Sequence, residues 1–196
     1  MIIENNIIYL LLLSYLIGSI PFGLILPKIF GYGDIRKIGS GNIGATNVLR
    51  TGNKKIAISV LLLDFLKCYL PTLFILHIYN LNIASFCGLF SIIGHIFSVW
   101  VYFKGGKGIA CFFGFLLAIN IGFFIIILII WLMIAYISKY SSLASIFSSI
   151  ITFFLFFIYD TNINNVIPLT IIILVIFKHM ENIKRLINKK ENKIKL

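Results

Sequence analysis

Long apolar runs alternate with short polar segments along this chain, and all but Lys67 of its 17 lysines and arginines stand in or beside those segments. Hydrophobic residues make up 60% and charged ones 12%, against roughly 45–50% and about 25% in soluble domains. So apolar a chain of 196 residues cannot hide its excess surface inside one globule, and a lipid bilayer is the solvent that accepts it. At about 20 residues per crossing plus loops, the length limits it to about seven spans. The net charge of +11 invites a nucleic-acid reading. Cations confined between apolar runs are instead the pattern of membrane topology, so no nucleic-acid partner is expected.

Spans are expected near 6–30, 56–76, 83–101, 109–137, 143–159 and 166–177. The N-terminus carries Glu4 with no cation before the apolar run, so it reads as a first span rather than a cleaved signal. As a single helix, 109–137 would extend roughly 43 Å, well beyond a hydrocarbon core of about 30 Å. Asn120 and Gly122 interrupt it, and charge decides between one crossing and two. With two, the segments 28–55, 102–108, 138–142 and 178–196 share one face, which gathers every cation except Lys67. With one, Lys139 and the basic tail move to the other face. The positive-inside rule selects two crossings. The expectation is therefore an all-α integral membrane protein of one domain, 1–196, with seven transmembrane helices, the N-terminus outside and the C-terminus cytoplasmic. No transporter-like internal repeat is present. Cys68, Cys87 and Cys111 lie in apolar segments without metal-ligand or redox spacing and read as buried thiols.

Three of the segments on the basic face suit phosphate. The first runs from Gly39 to Arg50, Gly-Ser-Gly-Asn-Ile-Gly-Ala-Thr-Asn-Val-Leu-Arg. Its glycines allow close backbone approach, its small polar side chains offer neutral hydrogen bonds, and Arg50 adds a forked cationic donor. The bland alternative is a flexible polar loop. The second, Lys104-Gly105-Gly106-Lys107-Gly108, opens an apolar helix, so glycine amides, a helix N-terminus and two ammonium groups meet there. The spacing is not that of a nucleotide-binding P-loop, and lysines snorkelling at an interface are the competing reading. The third starts at His179; on a helix it would share a face with Asn182, and Arg185 follows one step on. His179 there is a base, a proton shuttle or a phosphate partner, unless the segment is simply an interfacial basic helix.

Within the spans, Asp64 and Lys67 are three residues apart on one face, a pairing as consistent with structure as with catalysis. His95, with Ser98 following, precedes the lysine-glycine loop, and Ser141 and Ser142 occupy the last short loop of the basic face. His77 falls at the opposite face with no chemistry assigned to it. No HxxxxD dyad, GxSxG elbow or HExxH pattern occurs.

Assembled in order, these segments resemble the PlsY family, the bacterial acyl-phosphate:glycerol-3-phosphate acyltransferases, through nearly the whole chain. Gly18 to Gly23 is similar to the family's opening, and Asp34-Ile35-Arg36 with Gly39 to Arg50 to its first motif. Gly94-His95 and Phe97-Ser98 leading into Phe103–Gly108 resemble the second, and His179, Asn182-Ile183 and Arg185-Leu186, closed by Glu191, the third. Tyr140 to Leu143 also resembles a family segment. Lys189 stands where the third motif usually has glycine, Cys68 replaces a common glycine, and Cys111 replaces a common Thr or Ser. On the first of these departures the turn before Glu191 is expected to differ, and Glu191 is set aside as a site residue.

The resemblance implies acyl transfer from acyl phosphate to the sn-1 hydroxyl of glycerol 3-phosphate, at the cytoplasmic face of the bacterial inner membrane. It implies no cofactor and no metal, with the bilayer as partner and an acyl-phosphate-forming enzyme upstream. The implied catalytic set is Ser40, Arg50, His179 and Asn182. The implied phosphate-binding set is Gly41, Asn42, Thr46, Asn47, His95, Lys104, Gly105, Gly106, Lys107, Gly108, Ser142 and Arg185. Whether His179 or a substrate phosphate takes the proton is open at this point. Two rivals make different demands. A transporter of a phosphorylated metabolite needs functional charge near the bilayer midplane, and a lipid-binding assembly protein needs only the basic tail.

Overall fold

The structure, a computed structural model, describes residues 2–159 and 162–194, with side chains from residue 6 onward. The side chain of Glu4 and, from the expected outer loop at 160–165, residues 160 and 161 lie outside that description. Among the described residues the only regular elements are helices: α1 (Ile2–Ser19), α2 (Phe22–Ile29), α3 (Ala45–Val48), α4 (Lys54–Ile78), α5 (Leu81–Ile96), α6 (Ile109–Ile119), α7 (Ile121–Ser138), α8 (Ser141–Tyr159), α9 (Val166–Lys178) and α10 (Met180–Ile187). Five stretches are long and apolar enough to cross a membrane: Asn6–Ile29, Lys54–Ile78, Leu81–Val101, Ile121–Ser138 and Ser141–Tyr159. The pair α9 and α10, bent by 57° at their junction, makes up to six.

Asparagine caps three of the helix starts. Asn53, Asn80 and Asn120 each accept an amide three residues on, from Ile56, Ile83 and Phe123, at 3.1, 3.0 and 3.0 Å. At Asn120 the backbone leaves the helical region (φ −153°, ψ 102°), ending α6 and starting α7. The apolar run at 109–137 is thus two helices, and they turn the chain back toward the end it came from.

The first span breaks where Pro21 supplies no amide. The carbonyls freed there find partners across the bundle: Ser19 O accepts the Ser98 hydroxyl, and Ile20 O accepts Lys67 Nζ at 2.8 Å. In an apolar surround such groups have no water to fall back on. Helices α1 and α5 also exchange Ser91 Oγ to Ser14 O (3.0 Å) and Tyr15 Oη to Phe97 O (2.8 Å). Glycines permit close crossings, two of them between long helices. A Cβ on Gly94 of α5 would meet Tyr15 O at 2.2 Å, and one on Gly114 of α6 would meet Phe65 O at 2.3 Å.

Phe112, Phe115 and Phe156 fill the largest apolar cluster, while Ile121, Ile137, Phe177 and many other large apolar side chains face outward. That surface would aggregate in water and suits lipid. α6 is the exception, with seven of its eleven residues buried among the other helices and the remaining four half-buried.

Because a side chain at residue 94 must push α1 away from α5, Gly94→Ala should destabilise the protein by about 1–3 kcal/mol. A thermal melt in detergent that matches wild type would show the crossing to be looser than described.

Candidate active site

The starts of α4, α6 and α8 and the ends of α5, α7 and α9 come together at one end of the bundle, around a cavity of about 310 Å³. Its walls include Ser40, Asn42, Thr46, Asn47 and Arg50 from the first loop, and His95, Lys107 and Gly108 from the second region. Ser142 and the tail residues His179, Asn182 and Arg185 complete the polar part. Ile58, Leu61, Ile109 and Trp131 make an apolar wall.

The first loop is organised from inside by Asn47, which is 2% exposed. Its Nδ2 donates to Ile35 O and Ile38 O at 3.1 and 3.0 Å, while its Oδ1 accepts from Ser40 N at 3.0 Å and Arg50 Nη1 at 3.1 Å. Every polar atom of Asn47 is therefore engaged by the loop itself. Expected as a phosphate donor, it instead fixes Ser40 and Arg50 beside the cavity. Gly41, at φ 70°, turns the backbone and is not part of the cavity wall.

In the second loop the amides of Gly105 and Gly106 donate to Ile96 O (3.1 Å) and His95 O (3.0 Å), closing the end of α5. They are not aimed at a ligand as the sequence suggested. Lys104 is exposed and stands outside the cavity wall, so of the two lysines only Lys107 enters it.

Lys107 Nζ donates a short hydrogen bond to Asn182 Oδ1. Asn182 Nδ2 donates to Glu191 Oε1 at 2.6 Å, Ser142 Oγ donates to the same oxygen at 2.9 Å, and Arg185 Nε donates to Glu191 Oε2 at 2.7 Å. Glu191 therefore ties the tail to the last loop and lines the cavity, which corrects its dismissal. Burial acts to raise its pKa, but the hydrogen bonds from Arg185, Asn182 and Ser142 outweigh it and hold the carboxyl below its ordinary value.

The reason Glu191 reaches its place is Lys189. Lys190 N bonds Arg185 O at 2.7 Å and Lys189 N bonds Leu186 O at 3.1 Å, with Lys189 left-handed at φ 56°. That is the Schellman ending of a helix, which favours glycine at this position. The lysine takes the glycine's conformation, so the turn is kept and the strain is borne.

His179 caps the α9–α10 junction, 2% exposed, with Nδ1 2.8 Å from Val175 O. A carbonyl can only accept, so Nδ1 carries the hydrogen and Nε2 is left as an acceptor. Asp64, weighed only as half of an intrahelical pair, also borders the cavity, as do Trp131, Asn192 and Ile194. For Trp131 and Ile194 the sequence offers no signal beyond apolarity.

A family model described as glycerol-3-phosphate acyltransferase matches residues 8–189. The chain belongs to the glycerol-3-phosphate acyltransferase family. Relatives of that name are 46% identical over 183 residues in Pelagibacter ubique (93% of this chain, 95% of the relative) and 48% identical over 188 residues in Ehrlichia chaffeensis (95% of each). Among solved structures, the integral membrane glycerol 3-phosphate acyltransferase PlsY in its glycerol 3-phosphate form superposes with a TM-score of 0.91 at 37% identity, covering 97% of this chain and 96% of that one. Its lysophosphatidic acid form gives 0.89 at 36%, with the same coverage. The family thus spans the whole bundle, including the three segments that meet at the cavity.

Two outcomes follow from this geometry. Burial lowers the Lys107 pKa to about 8, with the Glu191 charge opposing and Arg185 reinforcing the shift. The ammonium is present below that value and lost above it. kcat/KM for a phosphate-bearing substrate should therefore fall as pH rises through about 8, and Lys107→Arg should remove that limb; a profile flat to pH 10 in wild type would contradict this. Lys189→Gly relieves a left-handed side chain at the cost of unfolded-state entropy, for a net gain of about 0.5–1 kcal/mol. A melting temperature at or below wild type would count against it.

Proposed function

We propose that this chain transfers a fatty acyl group from an acyl phosphate to the sn-1 hydroxyl of glycerol 3-phosphate, releasing 1-acyl-glycerol 3-phosphate and phosphate. The observation that carries this reading is the make-up of one cavity. Arg50, Lys107 and Arg185 share it with His179 and Asn182, and its other wall is apolar. Ile58 and Leu61 line it while being 55% and 48% exposed on α4, so it opens sideways toward lipid. A polar headgroup site joined to a lateral apolar opening suits a substrate with a phosphate at one end and an acyl chain at the other.

The hydroxyl oxygen forms a bond to the acyl carbon, the carbon–oxygen bond to phosphate breaks, and the hydroxyl proton leaves to His179 or to a substrate phosphate. An acyl phosphate is a mixed anhydride, so holding both reactants and balancing charge supply much of the rate. His179, anchored through Nδ1, presents Nε2 to the hydroxyl. Asn182 keeps Lys107 aimed into the cavity, while Ser40, Asn42 and Thr46 add neutral donors beside Arg50. Neither coenzyme A nor an acyl carrier protein has a role, and a separate acyl-phosphate-forming enzyme supplies the donor.

The same reading sets the chain in the bacterial cytoplasmic membrane as one domain, 1–196, with seven crossings, its N-terminus outside and the cavity facing the cytoplasm. The positive-inside bias supports this orientation. α6 serves as the seventh crossing although its length is only about 16 Å, because it is walled by protein and need not match the lipid. The cations gather at one rim, not at the midplane where a transporter would bind its cargo.

Purified protein in nanodiscs should form lysophosphatidic acid from palmitoyl phosphate and labelled glycerol 3-phosphate, and should not do so from palmitoyl-coenzyme A. Arg50→Ala and His179→Ala should each lower turnover by about 10²-fold or more, with the melting temperature held. Thioester-dependent product, or near-normal turnover in both variants, would overturn the assignment.

A further inference from the structure

At the floor of the cavity, formed by α4 and α5, a buried pair to which the reaction above gives no role, Asp64 and Lys67, stands against His95 of the implied phosphate-binding set. Asp64 Oδ1 accepts Lys67 Nζ at 2.7 Å, and their side chains are 4% and 3% exposed. His95, 5% exposed, places Nδ1 3.6 Å from the same Asp64 oxygen, beyond hydrogen-bond distance, and that buried nitrogen has no hydrogen-bond partner. Asp64 and His95 both line the cavity. The opposite nitrogen of the ring, Nε2, is turned to the glycine loop: a Cβ on Gly106 would fall 2.1 Å from it. Glycine at 106 is what leaves Nε2 uncovered.

We propose that Asp64 is a positioning residue, clamped by Lys67, that backs His95 so that the imidazole takes up a proton as a substrate phosphate arrives and donates from Nε2 to a phosphate oxygen. The proposal rests on the phosphate-handling reading of the cavity. The charged groups facing the imidazole are Asp64 and Lys67 from α4 and Lys178 from the end of α9, with Lys107 sharing the cavity. Before substrate binds, Lys67 and Lys178 face the ring with Asp64 as the one carboxylate beside it. A phosphate dianion reverses that balance. Once the imidazolium forms, its Nδ1–H closes the 3.6 Å gap to Asp64 Oδ1, which orients the ring and stabilises the charge. Lys67 serves this arrangement twice, since it holds both Asp64 and the broken end of α1 at Ile20 O.

The phosphate concerned belongs either to glycerol 3-phosphate or to the acyl phosphate, and the kinetics tell the two apart. Three variants act on different parts of the device. His95→Gln leaves the Asp64–Lys67 pair intact, Gly106→Ala covers Nε2, and Asp64→Asn removes the backing charge. Binding of glycerol 3-phosphate and of inorganic phosphate is followed by calorimetry at about pH 6.5 in two buffers of different ionisation heat; Lys107, with a pKa of about 8, is already charged there. Wild type should take up protons on binding, and all three variants should lose that uptake. In each, kcat/KM for the substrate whose phosphate His95 contacts should fall about tenfold or more, as expected for a lost charge-assisted hydrogen bond, while KM for the other moves little. Melting temperatures separate this from unfolding; if Asp64→Asn does not survive purification, His95→Gln and Gly106→Ala decide. Proton uptake undiminished in His95→Gln, or unchanged kcat/KM for both substrates in that variant, overturns the proposal. A wild-type protein that makes no lysophosphatidic acid would instead overturn the functional reading.

Discussion

The hydrogen bond from the Phe123 amide to the Asn120 side chain closes the turn on which the arrangement of the site depends. The alternative is for 109–137 to run on as one long helix. Everything after it would then exit at the other end of the bundle, and Ser142, His179, Asn182, Arg185 and Glu191 would lie a bilayer's width from Arg50 and Lys107. With the turn, α6 and α7 return the chain to its starting end. One asparagine can do this because its side chain replaces the helical carbonyl that the Phe123 amide would otherwise need. The short α6 that results is tolerated because protein, not lipid, surrounds it.

Once these helix ends meet, the site is held by polar groups that satisfy one another. Asn47 ties Ser40 and Arg50 to the backbone of its own loop, and Glu191 ties Ser142, Asn182 and Arg185. The cations are thereby kept in place before any phosphate binds, which lowers the reorganisation that binding and reaction require. The departures at Cys68 and Cys111 fit the same economy of contacts. Their thiols donate weakly to Gly88 O (3.5 Å) and Asp64 O (3.0 Å), and both cysteines are free and buried.

Much of this was legible from residue order. Expected spans at 6–30, 56–76, 83–101 and 143–159 correspond to Asn6–Ile29, Lys54–Ile78, Leu81–Val101 and Ser141–Tyr159, because runs of apolar residues bounded by charge leave a chain few alternatives. The break at Asn120 was legible for the same reason, since charge bias demanded it. What misled was the treatment of positions one at a time. Lys104 and Lys107 look alike in sequence, yet only one of them turns inward. Glycine amides at 105 and 106 look like anion donors, yet α5 ends there and its carbonyls claim them. Lys189 looked like a broken turn, yet two Schellman hydrogen bonds impose the left-handed conformation on whatever residue stands there.

The sequence by itself determined the solvent of this protein, the placing of most of its long apolar helices, and the chemical character of the segments between them. Those follow from transfer of side chains between water and lipid, which is a property of each residue in its run. Only the tertiary structure decided which polar groups face the cavity and which serve the scaffold. The choice depends on where donors and acceptors from distant segments come within about 3 Å of one another, as Ser142 and Glu191 do across 49 positions. A spacing along the chain carries no record of such a meeting.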